Sequence, residues 1–250
     1  MDEKIIRIKL ENVSKKFDKN NKDKGALARL LDIISGNKNP KEIIVLKNIS
    51  LKIKAGENLG IIGKNGSGKS TLLRIIARIY QANEGTIQTN GQLVYLTGFG
   101  HGLSPKLTMK ENIFLSGSIM GLSQKDIKEK FNEIVEFSGL KDYINTKFFK
   151  FSSGMQTRLA SSIGLHCVAH KNPDILLVDE VIGGGADKEY QEKSLKKMED
   201  LLKSGSTVIL VSHNLEAIKE YCDKVIWIDN GYIIAEGNAK EVIERYLEEK

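Results

Sequence analysis

Gly63-Lys64-Asn65-Gly66-Ser67-Gly68-Lys69-Ser70 matches the pattern GxxxxGK[ST], and it lies between a short apolar run, residues 59–62, and a helical pattern, residues 70–80. The helical pattern rests on Leu72, Leu73, Ile76 and Ile79. Strand, glycine-rich turn and helix in this order form one unit whose residue types answer to one task. Glycines let backbone N–H groups wrap phosphate oxygens at a helix N-terminus, where the helix dipole favours negative charge. Lys69 offsets charge on the β- and γ-phosphates, and the Ser70 hydroxyl is suited to ligate Mg²⁺. Gly63, Asn65, Gly66, Ser67, Gly68, Lys69, Ser70 and Thr71 are therefore the expected nucleotide-binding residues of this segment.

Downstream, residues 175–178 form a continuous apolar run that ends in Asp179 and Glu180. Such a run reads as a buried strand, and its C-terminal edge is where α/β sheets bind ligands. An acidic pair in that position is commonly a helix cap or a surface loop. With the phosphate loop upstream, Asp179 is instead expected in the magnesium shell, and Glu180 is placed to polarise an attacking water. Residues 207–211 form a second apolar strand, separated from the first by a charged helical stretch over residues 188–203. Parallel strands joined by a crossover helix make the core α/β.

The flanking segments add smaller pieces. Residues 5–10, and residues 43–53, alternate apolar and polar side chains, which predicts a small antiparallel sheet. Leu27, Leu30, Leu31 and Ile34 have the spacing of an amphipathic helix inside residues 25–40, either packed on its own domain or free to dock a partner. Residues 108–140 read as a helical lobe, periodic over residues 112–120 and 124–137. Asn230-Gly231 between residues 225–228 and 232–235 signals a hairpin. Residues 239–248 close the chain as a helix.

With 250 residues, 40% of them apolar, the chain can bury one substantial core. Its longest unbroken apolar runs are far short of the roughly 20 residues that span a bilayer. The opening MDEKIIRIKL is acidic at positions 2 and 3 and does not read as a secretory signal, so a cytoplasmic location is expected. Cys167 and Cys222 lack any metal-ligand spacing and are expected to be reduced thiols. The net charge of +6 favours anionic partners. However, Lys15, Lys16, Lys19, Lys22 and Lys24 alternate with Asn and Asp, without the aromatic interleaving of a nucleic-acid surface, and no nucleic-acid partner is expected.

Phe151-Ser152-Ser153-Gly154-Met155, followed by Gln156 and Arg158, resembles the signature loop of ATP-binding cassette proteins, usually written LSGGQ. Its position about two dozen residues before Asp179 fits that family as well. Phe17 resembles the aromatic residue that stacks on adenine, and His213 resembles the switch histidine that hydrogen-bonds the γ-phosphate. Asp187 resembles the aspartate of the loop that crosses between cassettes, although it stands one residue further from Glu180 than is usual, where Ala186 takes the expected place. The glutamine that usually follows the strand at residues 93–96 is missing, and Thr97-Gly98-Phe99-Gly100-His101-Gly102-Leu103 stands there instead. That stretch, the SSGM form of the signature and the insertion before Pro40 resemble the ATPase subunits of exporters for lipid-linked O-antigen, capsule or teichoic acid.

The resemblance implies a phosphate-loop NTPase (RecA-like) α/β core with a small antiparallel β-subdomain and an α-helical subdomain. It implies one cassette over residues 1–250, divided at residues 1–97, 98–166 and 167–250. ATP and Mg²⁺ are the implied ligands, with Lys69, Glu180 and His213 as the catalytic set and Ser70 and Asp179 on the metal. Ser153 and Gly154 would act on ATP held by a second copy, making the chain a homodimer on the cytoplasmic face of the membrane, docked to an integral membrane subunit. Exporters of lipids, drugs or ions share these motifs, and so do soluble cassette proteins of translation or DNA repair.

Overall fold

A computed structural model describes residues 5–18, 42–97, 102–179 and 187–249. The helix expected within residues 25–40, the glycine-rich residues 98–101, Glu180 and Ala186 lie outside the described residues.

Two sheets organise the rest. A three-stranded antiparallel sheet has the order β2-β1-β4, from β1 (Ile6–Asp18), β2 (Glu42–Lys54) and β4 (Glu84–Thr89). Strand β1 runs well past the alternating residues 5–10 that announce it. It absorbs register shifts between Leu10 and Lys16, where Asn12 takes a positive φ of 52°, so period-2 patterning is lost while pairing continues.

A six-stranded sheet has the order β5-β6-β7-β3-β8-β9. It comprises β3 (Asn58–Ile62), β5 (Leu93–Thr97), β6 (Ile175–Asp179), β7 (Thr207–Val211), β8 (Lys224–Asp229) and β9 (Tyr232–Asn238). All neighbouring pairs are parallel except β8–β9, the hairpin turned by Asn230 (φ 48°) and Gly231 (φ 83°). Every residue of β6 and β7 is buried, as continuous apolar strands covered on both faces must be. The faces divide by alternation. Ile175, Leu177, Ile209 and Val211 join the core shared with the antiparallel sheet and α1 (Lys69–Ile76), while Leu176, Val178, Val208 and Leu210 join the core on the opposite face.

Helix α1 stops short of the expected Tyr80. Arg78 takes φ 61°, a left-handed conformation that ends the helix, and Ile79, part of the apparent apolar stripe, is 57% exposed. The helical lobe contains α2 (Met109–Ile119), α3 (Gln124–Ser138) and the first part of α4 (Ser153–Lys171), around a separate core with Met109, Ile113, Ile127, Ile134, Leu159 and Ile163. Both α2 and α3 start in capping boxes, Thr108 with Glu111 and Ser123 with Asp126. Helix α4 passes through residues 166 and 167 unbroken, giving Leu159, Ile163 and Cys167 to the lobe and Leu165 and Val168 to the main core. It is the rigid strut between them. Helices α5 (Lys188–Leu202), α6 (Leu215–Tyr221) and α7 (Ala239–Glu248) complete the fold. Cys167 and Cys222 are free and buried. Among the described residues no helix is long and apolar enough to cross a membrane.

Candidate functional site

Strand register brings the sequence motifs to one edge. Ile61 of β3 is level with Val211 of β7, and Val211 is level with Asp179 of β6. The phosphate-loop segment, the turn carrying His213 and the acidic end of β6 therefore leave three adjacent parallel strands side by side.

The loop itself is shaped by its glycines. Gly63, Gly66 and Gly68 have φ of 144°, 79° and 113°. A Cβ on Gly63 would stand 2.1 Å from the Ile228 carbonyl oxygen, and one on Gly68 would stand 2.7 Å from Leu46 Cδ2 and 2.9 Å from the Val45 carbonyl oxygen. Backbone conformation and space both demand glycine. Gly68→Ala is accordingly expected to lower unfolding free energy by about 1–3 kcal/mol. A urea midpoint equal to that of the unmodified protein would contradict it.

Helix α1 begins at Lys69 with no side-chain cap and no acidic residue in its first turn, so its N-terminal N–H groups are left for an anion. Lys69 is buried, and its ammonium donates to the carbonyls of Gly63 (2.8 Å) and Lys64 (2.9 Å). Among the described residues the buried Ser67 hydroxyl has no hydrogen-bond partner, whereas Lys64, Asn65 and Gly66 are exposed along the rim. Uncapped helix start, buried lysine and orphaned hydroxyl together make a cradle for phosphate oxygens.

Asp179 is 7% exposed and held from two sides. Ser70 Oγ donates to its Oδ1 at 3.1 Å, and the Tyr95 hydroxyl donates to its Oδ2 at 2.8 Å. Burial first, and then the bond to Asp179, pushes the Tyr95 hydroxyl up to about 12, so it stays a proton donor at neutral pH. Tyr95 is absent from the residues that motif reading selects. The available signal is a polar-tipped aromatic inside the apolar strand Leu93–Thr97, because a buried Tyr hydroxyl needs a partner.

The donor set suits Mg²⁺. Among the described residues no group of three or more His, Cys, Asp or Glu side chains could cage a metal. One carboxylate beside one hydroxyl is what Mg²⁺ uses when substrate phosphates and water supply its other ligands.

His213 is exposed in the turn after β7. The turn is set by the Asn214 N–H donating to Ser212 Oγ at 3.1 Å and by Asn214 capping α6. Phe17 lies near the end of β1, partly buried, with its ring edge-on to Tyr80 at 5.4 Å and the Lys15 ammonium 4.9 Å over its face.

Ser153 and Gly154 belong to the helical lobe. Ser152 is the cap of α4, its Oγ accepting from the Met155 N–H at 3.2 Å, which leaves Ser153 exposed at the start of a 19-residue helix. Five residues on, Arg158 ties this helix to its surroundings: its Nε donates to the Ser138 carbonyl at 2.8 Å, and its guanidinium meets Asp187 at 3.5 Å. Asp187 caps α5 by accepting from the Tyr190 N–H at 3.0 Å. That bond, more than Arg158, holds its carboxyl below the usual range. The Tyr190 hydroxyl in turn donates to the Arg158 carbonyl at 2.7 Å, so the start of α5 is fixed to the signature helix.

Residues 46–183 match the family described as ABC transporter. Over 250 residues the chain is 40% identical to the teichoic acids export ATP-binding protein TagH of Lactococcus lactis, which covers 98% of this chain and 52% of that protein. It is 37% identical to the O-antigen export system ATP-binding protein RfbB of Myxococcus xanthus, over 99% of this chain and 57% of that one. RfbB of Klebsiella pneumoniae is 34% identical over 87% of this chain and 85% of that protein. The chain thus spans little more than half the length of the first two relatives. Among solved structures, a dimeric ATP-binding cassette in a post-hydrolysis state bound to ADP and Pi superposes with a TM-score of 0.68 at 25% identity, covering 93% of this chain and 98% of that one.

Proposed function

This chain belongs to the ABC transporter family, and from that premise we propose that it is the ATP-hydrolysing subunit of an exporter for a lipid-linked polysaccharide, of the O-antigen, capsule or teichoic-acid kind. The observation that carries the nucleotide reading is the 3.1 Å bond between Ser70 of the phosphate loop and Asp179 of the acidic strand end. The cargo class rests on the likeness to TagH and RfbB.

ATP is the substrate. N–H groups of the loop and of Ser70 and Thr71 cradle its phosphates, and Lys69 exchanges the Gly63 and Lys64 carbonyls for β/γ-phosphate oxygens. Ser70 and Asp179 would hold Mg²⁺, which when bound neutralises charge on those oxygens. Glu180 accepts from and polarises the attacking water, and His213 hydrogen-bonds the γ-phosphate. Phe17 stacks on the adenine. Ser153 and Gly154 of the partner subunit close the site, with the start of α4 aimed at the γ-phosphate.

ATP shared between two copies favours the closed dimer, and hydrolysis removes that shared ligand, so nucleotide state biases two arrangements. The dimeric, nucleotide-bound neighbour supports this arrangement. In this reading residues 98–166 form the lobe that passes the motion to an integral membrane subunit, beside the β-subdomain and phosphate loop of residues 1–97 and the remainder of the core, residues 167–250. The working place is the cytoplasmic face of the membrane, and no nucleic acid takes part.

Deleting the gene in its host tests the cargo. Surface polysaccharide should disappear while its lipid-linked form accumulates inside the cell. Normal surface polysaccharide together with altered lipid, drug or ion efflux would replace the cargo and keep the ATPase.

A further inference from the structure

We infer that Tyr95 is a positioning residue for the metal: its hydroxyl sets the plane of the Asp179 carboxylate so that one oxygen is presented at Ser70. The inference rests on the reading of the site as a Mg²⁺–nucleotide site.

The geometry is a chain of donors on one acceptor. Asp179 Oδ2 is taken by Tyr95 at 2.8 Å, and Oδ1 faces Ser70 Oγ at 3.1 Å. The terminal torsion of an aspartate is broad, so one hydrogen bond leaves the carboxylate able to rotate. A second donor, on the opposite oxygen, removes that freedom. Asp179 and Tyr95 sit on neighbouring strands, with Asp179 level with Thr97, so the hydroxyl reaches forward along the sheet from two positions back. Its ring is anchored by packing against the core beneath α1. Arg74, one turn into α1, donates to the Tyr80 hydroxyl at 3.4 Å. The helix that opens with Lys69 and Ser70 also gives Leu72, Leu73, Ile75 and Ile76 to the core on which the Tyr95 ring packs.

A role in bulk packing alone would be filled equally by phenylalanine. Tyr95 differs by the one atom that touches a buried carboxylate, and outer partners of metal ligands act by fixing ligand direction.

The test is Tyr95→Phe, which removes that oxygen and keeps the ring that packs. ADP is titrated into the purified protein calorimetrically, in EDTA and at a series of MgCl₂ concentrations. The expected result is unchanged ADP affinity in EDTA and a Mg²⁺ requirement raised about 10-fold. In an Asp179→Ala background, where no carboxylate remains to orient, the same change should add no further loss. An unaltered Mg²⁺ requirement in Tyr95→Phe overturns the inference, as does an equal loss of ADP affinity with and without Mg²⁺, which would mark a damaged fold. If the unmodified protein binds ADP no better with MgCl₂ than in EDTA, the Mg²⁺ reading of the site fails and the inference with it, and if it binds no ADP at all, the nucleotide reading fails as well. If the unmodified protein shows that dependence and the variant matches it, only the role of Tyr95 falls.

Discussion

Glu180→Gln is expected to slow steady-state ATP turnover by roughly 10²–10⁴-fold, the usual contribution of a positioned general base. Binding of ATP should survive. Glu180 follows Asp179, the last residue of β6, directly in the sequence, and none of the groups that form the phosphate cradle is changed. Glutamine keeps the size of glutamate but loses the charge that draws a proton from water. Turnover measured by phosphate release, beside ATP affinity measured by equilibrium binding, separates the two effects. Near-normal hydrolysis would remove Glu180 from the chemistry.

The second large effect concerns sharing of the site between two copies. Ser153 is exposed because Ser152 makes the cap, so Ser153→Arg puts a long cation at the mouth of a helix start without breaking the helix. It should cost about 10²-fold or more in turnover, comparable to losing one aligned donor to developing charge. Its own phosphate loop stays whole. Mixed with a Lys69→Ala copy, it should regain activity: the intact loop of the first then faces the intact Ser153 and Gly154 of the second. Each parent alone carries the same defect in both sites. A mixture no more active than its parents would show that ATP is handled within a single copy.

Much of this is legible in the chain alone. Residues 175–178 and 208–211 are apolar at every position, and only strands covered on both faces can bury every side chain. Asn230-Gly231 announced the hairpin through its tolerance of positive φ. Boundaries were less legible where local pattern and tertiary pairing disagree. Ile79 continues the helical spacing of α1, yet Arg78 turns the chain away and leaves Ile79 exposed. Residues 11–18 lose the alternation of a strand, yet bulged pairing with β2 carries β1 to Asp18. Capping is equally non-obvious from the chain: Asp187, noted for its resemblance to a residue of the intercassette crossing, also caps α5.

The chemical parts are written in the chain: a glycine-rich turn before a lysine and a serine, an acidic pair after a buried strand, and a serine–glycine helix start. Those are local, because backbone conformation and helix dipoles depend on neighbours in the chain. Which parts meet is settled by long-range packing. Ser70 reaches Asp179 across 109 residues and Tyr95 reaches it across 84, because parallel pairing of β5, β6, β7 and β3 lines up their C-terminal ends. Strand order and register are properties of the whole sheet, set by which apolar faces can be buried together, and no window of sequence around Tyr95 contains them.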